Sequence, residues 1–179
     1  MNLIKHIPNT ITCLNLFSGC MSIVAAIGGD LRTAFIWIVG AAIFDFMDGF
    51  AARLLKAYSP MGKELDSLSD VVSFGVAPGM ILYSLFSQAA FLMNLQGCLA
   101  LLPFCAFVIP VFSGLRLAKF NIDERQTTSF IGLPVPAHAL FWGSLAYSVQ
   151  AWLPTNASWL LYGGIILACL TSYLLVSEI

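Results

Sequence analysis

Four aspartates fall within one stretch of the chain, DFMDGFAARLLKAYSPMGKELDSLSD, residues 45–70. Asp45, Asp48, Gly49 and Ala52 recur at i, i+3, i+4 and i+7, which puts them on one face of a helix. Gly62, Asp66 and Asp70 recur at i, i+4 and i+8 and share a face of a second. Tyr58-Ser59-Pro60 separates the two, because proline disfavours helical backbone in the residue before it. At about 1.5 Å per residue, Asp48 and Asp45 stand roughly 8 and 12 Å inward from Arg53, and Asp66 and Asp70 about 6 and 12 Å inward from Gly62. Antiparallel packing of the two helices is therefore expected to bring all four carboxylates to one level. Oxygen ligands at this density favour Mg²⁺, Mn²⁺ or Ca²⁺, and the lack of Cys or His among them disfavours Zn²⁺. Two such ions, with the forked donors of Arg53 nearby, make a metal–phosphate site. The plainer alternative is an Asp–Arg ion-pair network that only sets helix register.

The elements that carry these residues lie in a membrane. Of 179 residues, 59% are hydrophobic and 9% charged, against about 25% charged in a soluble domain. So little charge cannot cover a water-facing surface, and the chain is expected to be an all-α polytopic bundle. Apolar runs at 11–28, 32–55, 62–86, 97–119, 134–153 and 158–176 predict six spans, joined by short connections. Residues 1–8 are expected to form a short interfacial helix stopped by Pro8. No cleavable leader is expected, since the run after Lys5 and His6 lasts a full span. Lys5, Arg53, Lys56, Lys63, Arg116, Lys119 and Arg125 fall at one set of ends, and only Arg32 at the other. This bias predicts cytoplasmic termini and a site that opens to the cytoplasm. Each unpaired carboxylate at depth costs roughly 3 kcal/mol, so four cost on the order of 10. Arg53 and Lys63 cannot neutralise four aspartates, whereas two divalent cations can.

The remaining signals are structural. Cys13, Cys20, Cys98, Cys105 and Cys169 show no C-x-x-C spacing and read as small residues in helix packing. Trp and Tyr residues near span ends, Trp37 excepted, read as interface anchors. His138 reads as a helix-start histidine facing the interface.

The pattern Asp45-x-x-Asp48-Gly49-x-x-Ala52-Arg53, then eight residues to Gly62, then Asp66 and Asp70, resembles the full signature of the CDP-alcohol phosphotransferases. All eight positions match in type and spacing. Ile7-Pro8-Asn9-Thr10-Ile11-Thr12 with Asn15 and Gly19 is similar to the start of the bacterial and archaeal phosphatidylserine synthases within that family. So are Arg116-Leu-Ala-Lys-Phe-Asn121 and Phe130-Ile-Gly-Leu-Pro-Val-Pro-Ala137. The resemblance covers nearly the whole chain, as one domain over 1–179. Family members often continue past the sixth helix, so the chain either ends at Ile179 or is cut short there.

The resemblance implies transfer of a phosphatidyl group from CDP-diacylglycerol to L-serine, releasing CMP, as a step of phospholipid biosynthesis in the cell membrane. It implies that Asp45, Asp48 and Asp66 are metal ligands, and that Asp70 touches the second ion and acts as general base. Mg²⁺ or Mn²⁺ is the implied cofactor, and Ca²⁺ fits the same ligands. Gly49, Ala52 and Gly62 leave room for the nucleotide, and Arg53 suits its phosphates. Ser59, Asn9 and Thr12 are further candidates for CDP-diacylglycerol, against the plainer roles of turn and cap. For the serine carboxylate the candidates are Arg116, Lys119 and Asn121, against positive-inside topology and lipid headgroup contact. A homodimer surrounded by membrane lipid is implied, with no nucleic-acid partner.

Two other readings stand beside this one. Another member of the family would use glycerol 3-phosphate or inositol; a phosphorylated acceptor calls for a larger basic cluster than Arg116, Lys119 and Arg125. A divalent-cation transporter would need polar residues on several helices continuing across the membrane, and 134–176 holds no acidic residue.

Overall fold

The computed structural model describes residues 6–122 and 133–177, and all regular structure among them is helical. In chain order the α-helices are α1 (Ile7–Ile27), α2 (Leu31–Leu54), α3 (Pro60–Asp70), α4 (Ala77–Leu92), α5 (Val108–Ile122), α6 (Val135–Val149) and α7 (Leu153–Val176). The protein is a membrane protein by this measure: among the described residues, five helical stretches are long and apolar enough to cross, Ile7–Ile27, Leu31–Leu54, Pro60–Leu92, Gly97–Ile122 and Val135–Val176. Lys5, Arg125, Glu178, the 130–132 part of the fifth-span entry and residues 1–5 of the expected interfacial helix lie outside the described residues.

The stretch Val135–Val176 is not one rod. A straight helix would hold His138 and Thr171 about 50 Å apart, yet His138 Nε2 lies 3.0 Å from Thr171 Oγ1. Helices α6 and α7 are therefore antiparallel, and the chain reverses through a 3₁₀ turn at Gln150–Trp152. Asn156 (φ −129°, ψ 28°) then interrupts the start of α7.

Local chemistry explains the other boundaries. Asp30 caps α2, accepting from Thr33 N at 3.0 Å. Ser59 caps α3: its Oγ accepts from Gly62 N at 3.0 Å, and Pro60 takes the first helical position, where no N–H is needed. The expected third span is a continuous helical rod from Pro60 to Leu92, but it widens to a π-helix over Val71–Val76. Pro78 accounts for this, since its ring lacks an N–H and crowds the carbonyl four residues back, at Phe74. In the fourth expected span, Gly97–Phe107 winds as a 3₁₀ helix before α5 begins. Pro103 sits inside it and supplies no N–H.

The bundle carries polar groups inside and apolar groups outside. Asn15, Ser18, Ser22, Ser69, Ser73 and Ser113 are buried, while Ile27, Phe46, Phe91, Ile122 and Trp159 are exposed. Lipid is as apolar as a protein core, so an outward-facing Phe loses nothing, whereas a polar group needs partners that only the interior offers. All five cysteines are free and exposed. They do not serve helix packing as expected, because a thiol is tolerated on a lipid-facing surface. His138 is also corrected: it is 1% exposed, not interfacial. Trp142 is buried beside it, and its Nε1 donates to His138 Nε2 at 3.0 Å. Trp142 and Thr171 both meet Nε2, while Nδ1 is buried with no partner. Trp152 and Trp159 are exposed, as anchors would be.

Helix α1 lies along α2 and also packs on α3 and the π segment. At Gly19 the fit is closest: a Cβ there would collide with Ser73 Oγ and stand 2.8 Å from Ser73 Cα. Backbone cannot yield as a side-chain tip can, so Gly19→Ala is expected to destabilise the protein by about 1–3 kcal/mol. Thermal unfolding in detergent would measure this; an unchanged melting temperature would mean that α1 and the π segment are not in contact at Gly19.

Candidate active site

The start of α1, the end of α2 and the start of α3 converge at one end of the bundle. Helix α2 supplies Asp45 and Asp48 from one face, and α3 supplies Asp66. Carboxylate oxygens of these three all lie within 4.8 Å of one another. Asp70, one turn beyond Asp66, is not in that trio. Its Oδ1 accepts from Asn15 Nδ2 of α1 at 3.4 Å. The hairpin gathers three carboxylates tightly and sets the fourth against α1.

The donor set suits a cation. Asp48 Oδ2 and Asp66 Oδ1 are buried and have no hydrogen-bond partner. An ionised oxygen left so is costly unless a positive charge meets it. Arg53 does not supply that charge: it is exposed, and its Nε donates to Gly49 O at 3.0 Å along its own helix. The three carboxylates thus fit a divalent ion of the hard, oxygen-seeking type. A register-setting Asp–Arg network is not what Arg53 builds.

Beside the trio is a cavity of about 420 Å³. Asn9, Thr12, Asp48, Gly49, Ala52, Arg53, Ser59, Gly62 and Asp66 all line it. Small residues make the space. A Cβ on Gly62 would stand 2.9 Å from Asn9 Oδ1 and 3.0 Å from Ser59 Oγ. Thr12 Oγ1 donates to Pro8 O and Ser59 Oγ caps α3, so both hydroxyls already have structural duties. A hydroxyl has one donor and two acceptor positions, so each retains capacity for a ligand. Lys63 and Tyr58 line the same cavity and were not among the expected ligand contacts. Lys63 directly follows Gly62, and that adjacency was a usable signal.

The three candidates on α5 do not line this cavity. Arg116 is buried, its guanidinium 5.6 Å from the Phe120 ring centroid. Asn121 Nδ2 donates to Ser67 Oγ at 2.9 Å, which ties the end of α5 to α3 next to Asp66. Lys119 is half-buried in the last turn. A larger cavity, about 790 Å³, lies at the far end of the bundle near Gly29, Gln88 and Gln150. Its lining carries no charged residue.

An all-helical membrane bundle with carboxylates clustered beside a small-residue cavity is the form of a lipid phosphotransferase. Residues 5–170 match the model of the CDP-alcohol phosphatidyltransferase family, and the chain belongs to that family. It is 36% identical over 178 residues to the CDP-diacylglycerol–serine O-phosphatidyltransferase of Bacillus subtilis, covering 98% of this chain and 89% of that one. It is 36% identical over 173 residues to the protein of the same name from Methanocaldococcus jannaschii, covering 97% of this chain and 72% of that one. The archaetidylserine synthase of Methanothermobacter thermautotrophicus is 38% identical over 136 residues, 75% of this chain and 54% of its own length.

Proposed function

We propose that this protein transfers the phosphatidyl group of CDP-diacylglycerol to the hydroxyl of L-serine, giving phosphatidylserine and CMP. The observation that carries the reading is the trio Asp45, Asp48 and Asp66, with oxygens within 4.8 Å, beside a cavity that reaches Arg53 and the small residues Gly49, Ala52 and Gly62. The names of the relatives supply serine as acceptor and allow diacylglycerol or archaeol as the lipid.

In this reading residues 1–179 form one domain with six crossings, α6 and α7 each making one. Arg53, Lys56, Lys63, Arg116 and Lys119 gather toward the aspartate end and Arg32 lies at the other, a bias that supports a cytoplasmic aspartate end in a protein of the cell membrane. Homodimers are the expected assembly.

Each residue then has a task. Asn9, Thr12, Ser59 and Gly62 border the nucleotide, and Arg53 turns its guanidinium from Gly49 O to a phosphate oxygen of the donor. Asp45, Asp48 and Asp66, together with Asp70, would hold divalent ions, which would supply positive charge to the diphosphate. Asp70 takes the proton of the serine hydroxyl. The serine oxygen bonds to the phosphatidyl phosphorus, the bond from that phosphorus to the bridging oxygen breaks, and CMP leaves with the electron pair. Positioning and charge neutralisation account for most catalysis of this kind. Arg116, Lys119 and Asn121 of α5 are assigned to the serine side of the site.

Purified protein with Mg²⁺ or Mn²⁺ is expected to convert CDP-diacylglycerol and labelled serine to phosphatidylserine at least about tenfold faster than it uses glycerol 3-phosphate or inositol, a discrimination of about 1.4 kcal/mol. Equal rates with all three, or none with serine, would overturn the acceptor assignment.

A further inference from the structure

Asn15 stands out among the buried polar groups because half of its amide is used and half is not. It is 0% exposed, deep in the α1 interface. Its Nδ2 donates to Asp70 Oδ1 at 3.4 Å. A carboxylate oxygen accepts, so the nitrogen end must face Asp70, and this fixes the orientation of the amide. The other end, Oδ1, is buried with no partner. An unmatched buried acceptor costs about 1–3 kcal/mol, a cost that packing alone does not require, since an apolar side chain could occupy the same place. The backbone of Asn15 is tied in as well: its carbonyl accepts from Ser73 Oγ at 3.0 Å. Ser69 Oγ donates to Thr12 O at 3.3 Å one turn away. These bonds clamp α1 across the junction where α3 gives way to the π segment directly after Asp70. The amide is thus held rigidly against the one acidic side chain of the site that stands outside the trio.

We propose that Asn15 is the positioning residue for Asp70: its N–H end holds the Asp70 carboxylate in place for the transfer step, and its Oδ1 accepts from a donor group on the incoming alcohol. The inference rests on the proposed phosphatidyl transfer. It asks for an acceptor with an N–H or O–H beside the reacting hydroxyl, which an amino alcohol has.

The test uses the full chain in detergent or nanodiscs with two uncharged variants. Asn15→Thr keeps nearly the same volume but replaces the amide with a short hydroxyl; Asn15→Ala removes both ends of the amide. In both, kcat is expected to fall about a hundredfold, the size of effect a small misplacement of a reacting group produces. The KM for the acceptor should rise, while CDP affinity by calorimetry and melting temperature stay near wild type. The proposal is overturned if either well-folded variant retains wild-type kcat. It is equally overturned if activity falls only in step with CDP affinity and melting temperature, as a purely structural role requires. Wild-type protein is run in parallel with serine, glycerol 3-phosphate and inositol. A wrong acceptor shows there, in the wild type, and the Asn15 comparison then proceeds with whichever acceptor is used.

Discussion

Asp70→Asn is expected to reduce phosphatidyl transfer about a thousandfold while CDP binding stays close to wild type. The expectation follows from where Asp70 sits. It is outside the trio whose oxygens lie within 4.8 Å of one another, so its removal leaves Asp45, Asp48 and Asp66 to hold an ion and the nucleotide phosphates. What is lost is the proton acceptor, and general-base catalysis contributes typically 10²–10⁴-fold. Asn has the shape of Asp and can still meet Asn15, so the bundle should keep its melting temperature. Turnover of labelled serine, beside calorimetric CDP titration, separates the two quantities. If CDP affinity collapses together with turnover, Asp70 is a binding ligand like the trio. If turnover survives, the acidic cluster serves something other than this reaction.

Much of the site was legible because its geometry follows from helical period alone. The spacing of Asp45 and Asp48 against Asp66 requires only two helices and one break, and Ser59-Pro60 supplies the break with a cap that any helix start would use. Gly49, Ala52 and Gly62 were legible for the same reason, since small residues on the acidic faces leave room on that side. The reversal between α6 and α7 was legible as a gap between apolar runs. What could not be read is which partner each buried polar group finds. Asn15 is one polar residue in an apolar run, and nothing in α1 says that its amide meets a carboxylate 55 positions away. His138 failed in the same way: its Nε2 meets Thr171, 33 positions on. The π turn was hidden too, because Pro78 signals a defect without saying whether the rod kinks or widens. The exposed cysteines show a further limit. In a chain solvated by lipid, hydrophobicity no longer separates inside from outside, so residue type alone could not place them.

The strongest dependence on metal should come from Asp48, the most enclosed member of the trio, and it has two opposite signs. With divalent ions removed, three carboxylates crowd together and Asp48 Oδ2 has no partner. Wild-type protein in chelator therefore carries unrelieved repulsion and desolvation, and Asp48→Asn, which removes one charge without changing shape, is expected to unfold at a higher temperature than wild type. With Mg²⁺ or Mn²⁺ at a hundred times its dissociation constant, wild type gains about 2.7 kcal/mol from binding alone. The variant, short of a ligand, gains little, so the order of stabilities reverses. Activity follows the metal-loaded order: chelator abolishes transfer by wild type, Mn²⁺ restores it, and Asp48→Asn stays inactive in both conditions. Thermal unfolding of the two proteins with and without metal reads this crossing directly, independent of any substrate. A structural acidic cluster predicts parallel curves and no effect of metal on either. A cation site predicts curves that cross, because the same three oxygens that weaken the empty bundle are what bind the ion.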